Sequence, residues 1–225
     1  VHTNSSSQEI LIPTNGIELE GRLGLPEAAR GLVLFAHGSG SSRFSPRNNY
    51  VAQLLREAGL GTLLMDLLTR QEDADYRTRF DIRLLTERLI AATRWAMELP
   101  ETRDLPIGYF GASTGAAAAL EAAAQLGSEA GDKVQAVVSR GGRPDLAREV
   151  LPHVLAPTLL IVGGDDTPVV DLNHAAYQRL RAEKELVIVP GATHLFEEPG
   201  KLEEVARLAT AWFLRHLRQP PKQAA

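Results

Sequence analysis

Gly111-Ala112-Ser113-Thr114-Gly115 matches the pattern G-x-S-x-G, and it is the one match in the chain. A serine on a tight turn from strand to helix takes a strained backbone conformation. Glycines on either side remove the side chains that would collide with the strand and the helix. Such a turn lifts the hydroxyl above a sheet, and the start of the following helix favours negative charge developing there. That is the chemistry of attack on a carbonyl carbon. The pattern alone is weak, but its context is strong, because Leu105-Pro106-Ile107-Gly108-Tyr109-Phe110 reads as a strand directly before it. The alanine-rich stretches 116–119 and 122–124 read as a helix slim enough to pack closely against that strand.

A serine hydroxyl is a poor nucleophile until a base removes its proton. Of the six histidines, His2 lies in a polar leader, His174 and His216 in expected helices, and His153 in a loop beside Pro152. His37 opens a Gly-rich turn and reads as structural. His194 differs: Val187-Ile188-Val189-Pro190-Gly191-Ala192-Thr193-His194 is a strand followed by a short loop. This places the imidazole at the carboxyl edge of the last strand, the rim from which Ser113 emerges. Its other ring nitrogen needs an acceptor to hold the tautomer and to stabilise the imidazolium. Leu159-Leu160-Ile161-Val162-Gly163-Gly164-Asp165-Asp166 ends a strand with two carboxylates. Asp166 is preferred, with Asp165 and Asp145 as the other candidates. Activity is expected to fall as His194 becomes protonated.

These side chains need a scaffold that brings strand ends to one edge. Near-continuous apolar runs at 31–36, 61–65, 107–110, 134–139, 158–162 and 186–189 read as central parallel strands covered on both faces. Residues 8–13 and 17–25 read as an opening antiparallel pair turned at Asn15-Gly16. Helical periods fall at 48–57, 81–98, 114–126, 171–182 and 202–217. In the last of these, Leu202, Val205, Leu208, Ala209 and Trp212 mark one buried face. Strand-then-helix repetition implies a mostly parallel α/β sheet with right-handed crossovers. The connections 66–80 and 141–156 are too short for a folded cap, so the site is expected to be open and to favour small esters. The first carries Arg70, Glu72, Asp73, Asp75, Arg77 and Arg79 and reads as a solvated loop.

Composition narrows the classes further. The 225 residues carry 24 Lys+Arg against 28 Asp+Glu, a net charge of −4 that gives no surplus for neutralising phosphate backbones. Nucleic-acid binding is therefore not expected. With no cysteine there is no disulfide framework, thiolate metal site or cysteine nucleophile, which fits a reducing, cytoplasmic location. No run of about 20 apolar residues supports a membrane span. The polar opening lacks the basic and apolar regions of a secretory signal. The expected layout is a polar leader at 1–8, one domain at 9–217 and a flexible tail at 218–225. No metal-ligand spacing such as H-E-x-x-H occurs, and neither metal nor cofactor is expected.

Carbonyl attack also requires N–H donors for the oxyanion. One expected donor is the backbone of Thr114. The other comes from His37-Gly38-Ser39-Gly40-Ser41-Ser42, with the main chain of Ser39 preferred. Arg43 and Arg47 follow in the same loop, placed either to bind an anionic substrate group or to form surface ion pairs.

With these motifs in hand, the sequence resembles the dienelactone-hydrolase-like branch of the α/β-hydrolase superfamily over nearly all of residues 10–217. The resemblance rests on the segment from His37 to Arg43, on Gly111 to Gly115, on Gly163-Gly164-Asp165-Asp166-Thr167-Pro168-Val169 and on Gly191-Ala192-Thr193-His194-Leu195-Phe196. Ser…Asp…His is the chain order of that superfamily. Dienelactone hydrolases proper look to a cysteine where this chain has Ser113. The resemblance therefore implies a serine carboxylesterase of small, short-acyl esters, similar to small bacterial esterases. Thioesterase, lactonase and polyester hydrolase are alternatives on the same triad, and a non-catalytic binding module is the alternative outside enzymes. The run Ser139-Arg140-Gly141-Gly142-Arg143-Pro144-Asp145 also looks like hydrolase modules sometimes fused to phosphoribosyltransferases.

Overall fold

The apolar runs all become strands of one eight-stranded sheet. The computed structural model describes residues 7–129 and 133–218. In chain order the strands are β1 (Ser7–Thr14), β2 (Ile17–Gly24), β3 (Leu32–Ala36), β4 (Gly61–Met65), β5 (Ile107–Ala112), β6 (Val134–Arg140), β7 (Thr158–Gly163) and β8 (Lys184–Val189). The helices are α1 (Pro46–Glu57), α2 (Arg70–Asp73), α3 (Ile82–Glu98), α4 (Thr114–Glu129), α5 (Thr167–Arg179) and α6 (Lys201–His216). The sheet order is β1-β2-β4-β3-β5-β6-β7-β8. β1 pairs antiparallel with β2, β2 pairs antiparallel with β4, and every other pairing is parallel.

Period-2 alternation divides each central strand between two cores. Leu32, Leu34 and Ala36 of β3 face a layer containing Leu85, Leu89 and Ala92 of α3 and residues of α4. Val33 and Phe35 of the same strand face Val51, Ala52 and Leu55 of α1 and Val205, Ala209 and Phe213 of α6. Both faces are dry, which is why these strands read as unbroken apolar runs rather than alternating ones. Local chemistry sets the helix starts. Ser45 caps α1, accepting from Asn48 N at 3.3 Å, and Asp81 caps α3, accepting from Leu84 N at 3.1 Å.

Three sequence expectations shift. β1 begins at Ser7, so residues 7 and 8 belong to the sheet and not to a leader. Residues 1–6, with His2, and 219–225 lie outside the described residues, while Arg218 N–H donates to Gln135 Oε1 at 2.8 Å. The segment 66–80 is not a freely solvated loop. Leu67 and Leu68 are buried, Thr69 and Glu72 form a reciprocal capping box on α2, and Glu72 pairs with Arg88 at 2.7 Å. Asp73 pairs with Arg79 at 3.0 Å, while Arg70, Asp75 and Arg77 stay exposed. Helix α5 also starts earlier than the periodicity predicts, at Thr167, because Pro168 suits a first helical turn.

Phe213 is fully buried, and its ring lies so close over Gly108 that a Cβ there would sit 2.6 Å from Cε1. Phe213→Ala should therefore leave a cavity between α6 and β5 and cost about 3–5 kcal/mol, read from urea unfolding midpoints.

Candidate active site

Strand β5 ends at Ala112 and helix α4 begins at Thr114, so the chain reverses at Ser113, which takes a φ of 51°. That left-handed conformation is strained for a residue with a Cβ. It persists because the surroundings fix it. A Cβ on Gly111 would lie 2.4 Å from Ala116 Cα, and one on Gly115 would lie 2.1 Å from the Ala36 carbonyl oxygen. The helix is thus pressed onto the ends of β3 and β5. Ser113 N–H donates to Arg140 O at 3.3 Å, and Ser113 O accepts from Arg143 N at 3.1 Å.

On the other side of the site, Asp165 N–H donates to Ala192 O at 3.0 Å and fastens the end of β7 to the loop after β8. Asp166 occupies the N-cap position of α5 but makes no capping bond. Its Oδ2 instead accepts from His194 Nδ1 at 2.7 Å. This leaves Nε2 as the free ring nitrogen. Asp165 is exposed, and Asp145 is held by Arg143 at 2.7 Å, so neither alternative carboxylate meets the imidazole. Ser113 and His194 line one cavity of about 170 Å³. The Ser113 hydroxyl has no hydrogen-bond partner among the described residues. Nucleophile-to-base bonds are commonly loose before substrate binds.

Thr114 follows Ser113 into the first turn of α4 and is buried. Ser39 differs in detail: its N–H donates to Thr114 Oγ1 at 3.0 Å. The close approach of α4 to β3 puts that hydroxyl within reach of the amide, so the Ser39 donor is engaged in this conformation.

The two arginines part company. Arg43 does not reach the Ser113 cavity. Its guanidinium pairs with Glu20 at 2.6 Å, with Glu9 at 3.3 Å and with Asp66, while its own N–H donates to Asp66 Oδ1 at 2.6 Å. It is a tie between the β1–β2 hairpin and the end of β4, with three carboxylates to satisfy it. Arg47 does line the cavity, and it also pairs with Glu197 at 2.7 Å. The site further contains Arg140 and Asn48, which the sequence reading did not single out. The available signal for Arg140 was a charged residue closing a largely apolar strand. Among the described residues no group of three or more His, Cys, Asp or Glu is arranged to hold a metal ion.

His37 is structural, as its turn suggested. Its Nδ1 donates to Gly38 O at 2.9 Å, and its Nε2 accepts from Leu67 N at 3.0 Å, joining the loops after β3 and β4. Burial holds its pKa below the ordinary histidine value, against raising contributions from Gly38 O, Asp66 and Asp73.

The layered sheet and the strained serine turn are those of an α/β-hydrolase. No protein-family profile matches the chain. A solved dienelactone hydrolase from Anabaena variabilis is 56% identical, with a TM-score of 0.90 over 95% of this chain and 99% of its own. The chain belongs to the dienelactone hydrolase family. Est1E from Butyrivibrio proteoclasticus, also solved with ferulic acid bound, shares the fold at 18% identity and a TM-score of 0.78, over 92% of this chain and 98% of its own. Two Mycobacterium tuberculosis proteins, from strains CDC 1551 and H37Rv, bear the provisional name phosphoribosyl transferase. Each is 54% identical over 95% of this chain, which spans 47% of their length.

Two outcomes follow from this geometry. Because folding lowers the His37 pKa, its contribution to stability is complete above the unfolded value near 6.5 and is lost as pH falls below it. Between about pH 7 and about pH 5, His37→Gln should therefore lose less stability than the wild type, measured by urea unfolding at each pH. Arg43→Met should lower stability by about 1–2 kcal/mol while ester kcat/KM stays within about twofold of wild type.

Proposed function

We propose that this protein is a serine carboxylesterase that hydrolyses small, short-acyl carboxylic esters through an acyl-enzyme intermediate. One observation carries the reading: the 2.7 Å Asp166–His194 hydrogen bond shares a rim with the strained Ser113, and histidine and serine open on one cavity. In this reading His194 Nε2 takes the Ser113 proton as Oγ attacks the ester carbonyl. Asp166 stays ionised, holding the ring in the tautomer with Nδ1–H and stabilising the imidazolium. The oxyanion receives the Thr114 N–H, and it receives the Ser39 N–H once the Thr114 hydroxyl turns aside. His194 then protonates the departing alcohol. Water, deprotonated by the same imidazole, releases the acid and restores Ser113.

The name of the Anabaena relative favours a second substrate class, because lactone opening uses the same attack with the alcohol left tethered. Comparing kcat/KM for phenyl acetate and for small lactones separates the two. We place the activity in the cytoplasm, on a small-molecule partner. No helix among the described residues is long and apolar enough to cross a membrane.

Ser113→Ala should lower kcat/KM for phenyl acetate at least about a thousandfold and abolish labelling by a phosphonate ester. Unchanged turnover and labelling would overturn the nucleophile assignment. Asp166→Asn should lose at least about a hundredfold in kcat, well beyond Asp165→Asn. The reverse order would reassign the acid.

A further inference from the structure

The cavity beside Ser113 has a wall that ester hydrolysis does not use. Arg140 is the last residue of β6 and pairs in register with Ala112, next to the nucleophile. It is only 7% exposed and lines the cavity, yet no described residue gives its guanidinium a carboxylate or a hydrogen-bond acceptor. Its Nε is buried without a partner. An uncompensated buried charge is costly, by several kcal/mol in general, unless something pairs with it. Here burial and the positive charge of Arg47 pull its pKa down to about 10, so it remains charged near neutrality.

The neighbouring wall adds donors of the same sense. Helix α1 starts at this cavity, where Pro46 has no N–H and Ser45 Oγ takes the Asn48 N–H. No described residue accepts the Arg47 N–H, so the helix presents a free donor and the positive end of its dipole. Ser41 and Ser45 line the same cavity. Among the described residues the one ion pair of these arginines is Arg47 with Glu197, which is itself exposed. A phosphate brings up to two negative charges and three acceptor oxygens in a tetrahedral spread, which matches two guanidiniums and a helix start on different sides of a cavity better than the single charge and flat pair of oxygens of a carboxylate.

We infer that the Arg140–Arg47 wall at the start of α1 binds a phosphate group carried by the substrate, so that the preferred esters are small carboxylic esters bearing a phosphate. This inference rests on the esterase reading and sharpens it. The reaction remains ester hydrolysis: the acyl C–O bond breaks, water supplies OH to the acid and H to the alcohol, and the phosphate is untouched. It serves as a handle that places the ester carbonyl over Ser113, and its binding energy aligns the reacting atoms.

The test compares three acetate esters of one size: monoacetyl glycerol 3-phosphate, monoacetyl glycerate and monoacetyl glycerol. The phosphate ester should exceed the neutral one about tenfold or more in kcat/KM, an advantage that shrinks as salt is raised. In Arg140→Met, with folding checked by thermal melting, that ratio should fall close to unity. Arg140→Lys should keep part of it, and Arg47→Gln should reduce it. Inorganic phosphate should compete with monoacetyl glycerol in the wild type and bind Ser113→Ala by calorimetry. If Arg140→Met does not fold, Arg47→Gln and phosphate competition decide. Equal kcat/KM for all three esters, with no phosphate competition, would overturn the inference, and so would a preference for the glycerate ester. Wild-type protein that cleaves none of the three but binds phosphate through Arg140 would defeat the esterase reading and leave the anion site standing.

Discussion

Contact between the first turn of α4 and the ends of β3 and β5 governs this molecule. At Gly115 the helix comes so near the Ala36 carbonyl that no side chain fits between them. That approach forces the reversal onto Ser113 and its left-handed backbone. It also brings the Thr114 hydroxyl to the Ser39 amide and lets the Arg140 carbonyl hold the Ser113 N–H. Ser113, the Ser39 and Thr114 pair and Arg140 therefore share one anchor. Local backbone strain of this sort survives only where tertiary packing over-determines it, and here the apolar layers on both faces of the sheet supply the packing.

Charge is distributed around that anchor with a clear division. Asp166 meets His194 on the β7–β8 side, while Arg140 and Arg47 lie on the β6–α1 side. Arg43, only a few residues from Arg47, is absorbed by Glu9, Glu20 and Asp66 and contributes to the frame instead. The separation matters because a guanidinium paired with carboxylates has little field left for a ligand, whereas one buried without a partner retains it. Proximity in sequence says little about which state an arginine occupies.

Short connections keep the site open. The segments after β4 and β6 fold into brief helical turns tied by their own charges, and neither forms a cap over Ser113. Specificity must then come from the cavity wall itself. Similarity to the Anabaena dienelactone hydrolase runs through nearly the whole of both chains, and similarity to the Mycobacterium tuberculosis proteins covers about half of theirs.

Much of this was legible in the residues because it depends on local rules. Unbroken apolar runs gave the central strands, Asn15-Gly16 gave the hairpin, and Gly111 and Gly115 around Ser113 gave the elbow. Strand ends followed by short loops pointed to Asp166 and His194, whose hydrogen bond the fold supplies. Other features depend on partners distant in sequence, which spacing does not encode. The carboxylates that claim Arg43 come from β1, β2 and the end of β4. The acceptor that engages the Ser39 amide comes from α4, and the isolation of Arg140 follows from the lack of any described carboxylate facing it. Residue type and periodicity determined the sheet and the order of the catalytic candidates, because backbone geometry repeats locally. Only the tertiary structure decided which charges are neutralised and which remain available, because electrostatic pairing depends on distance through space.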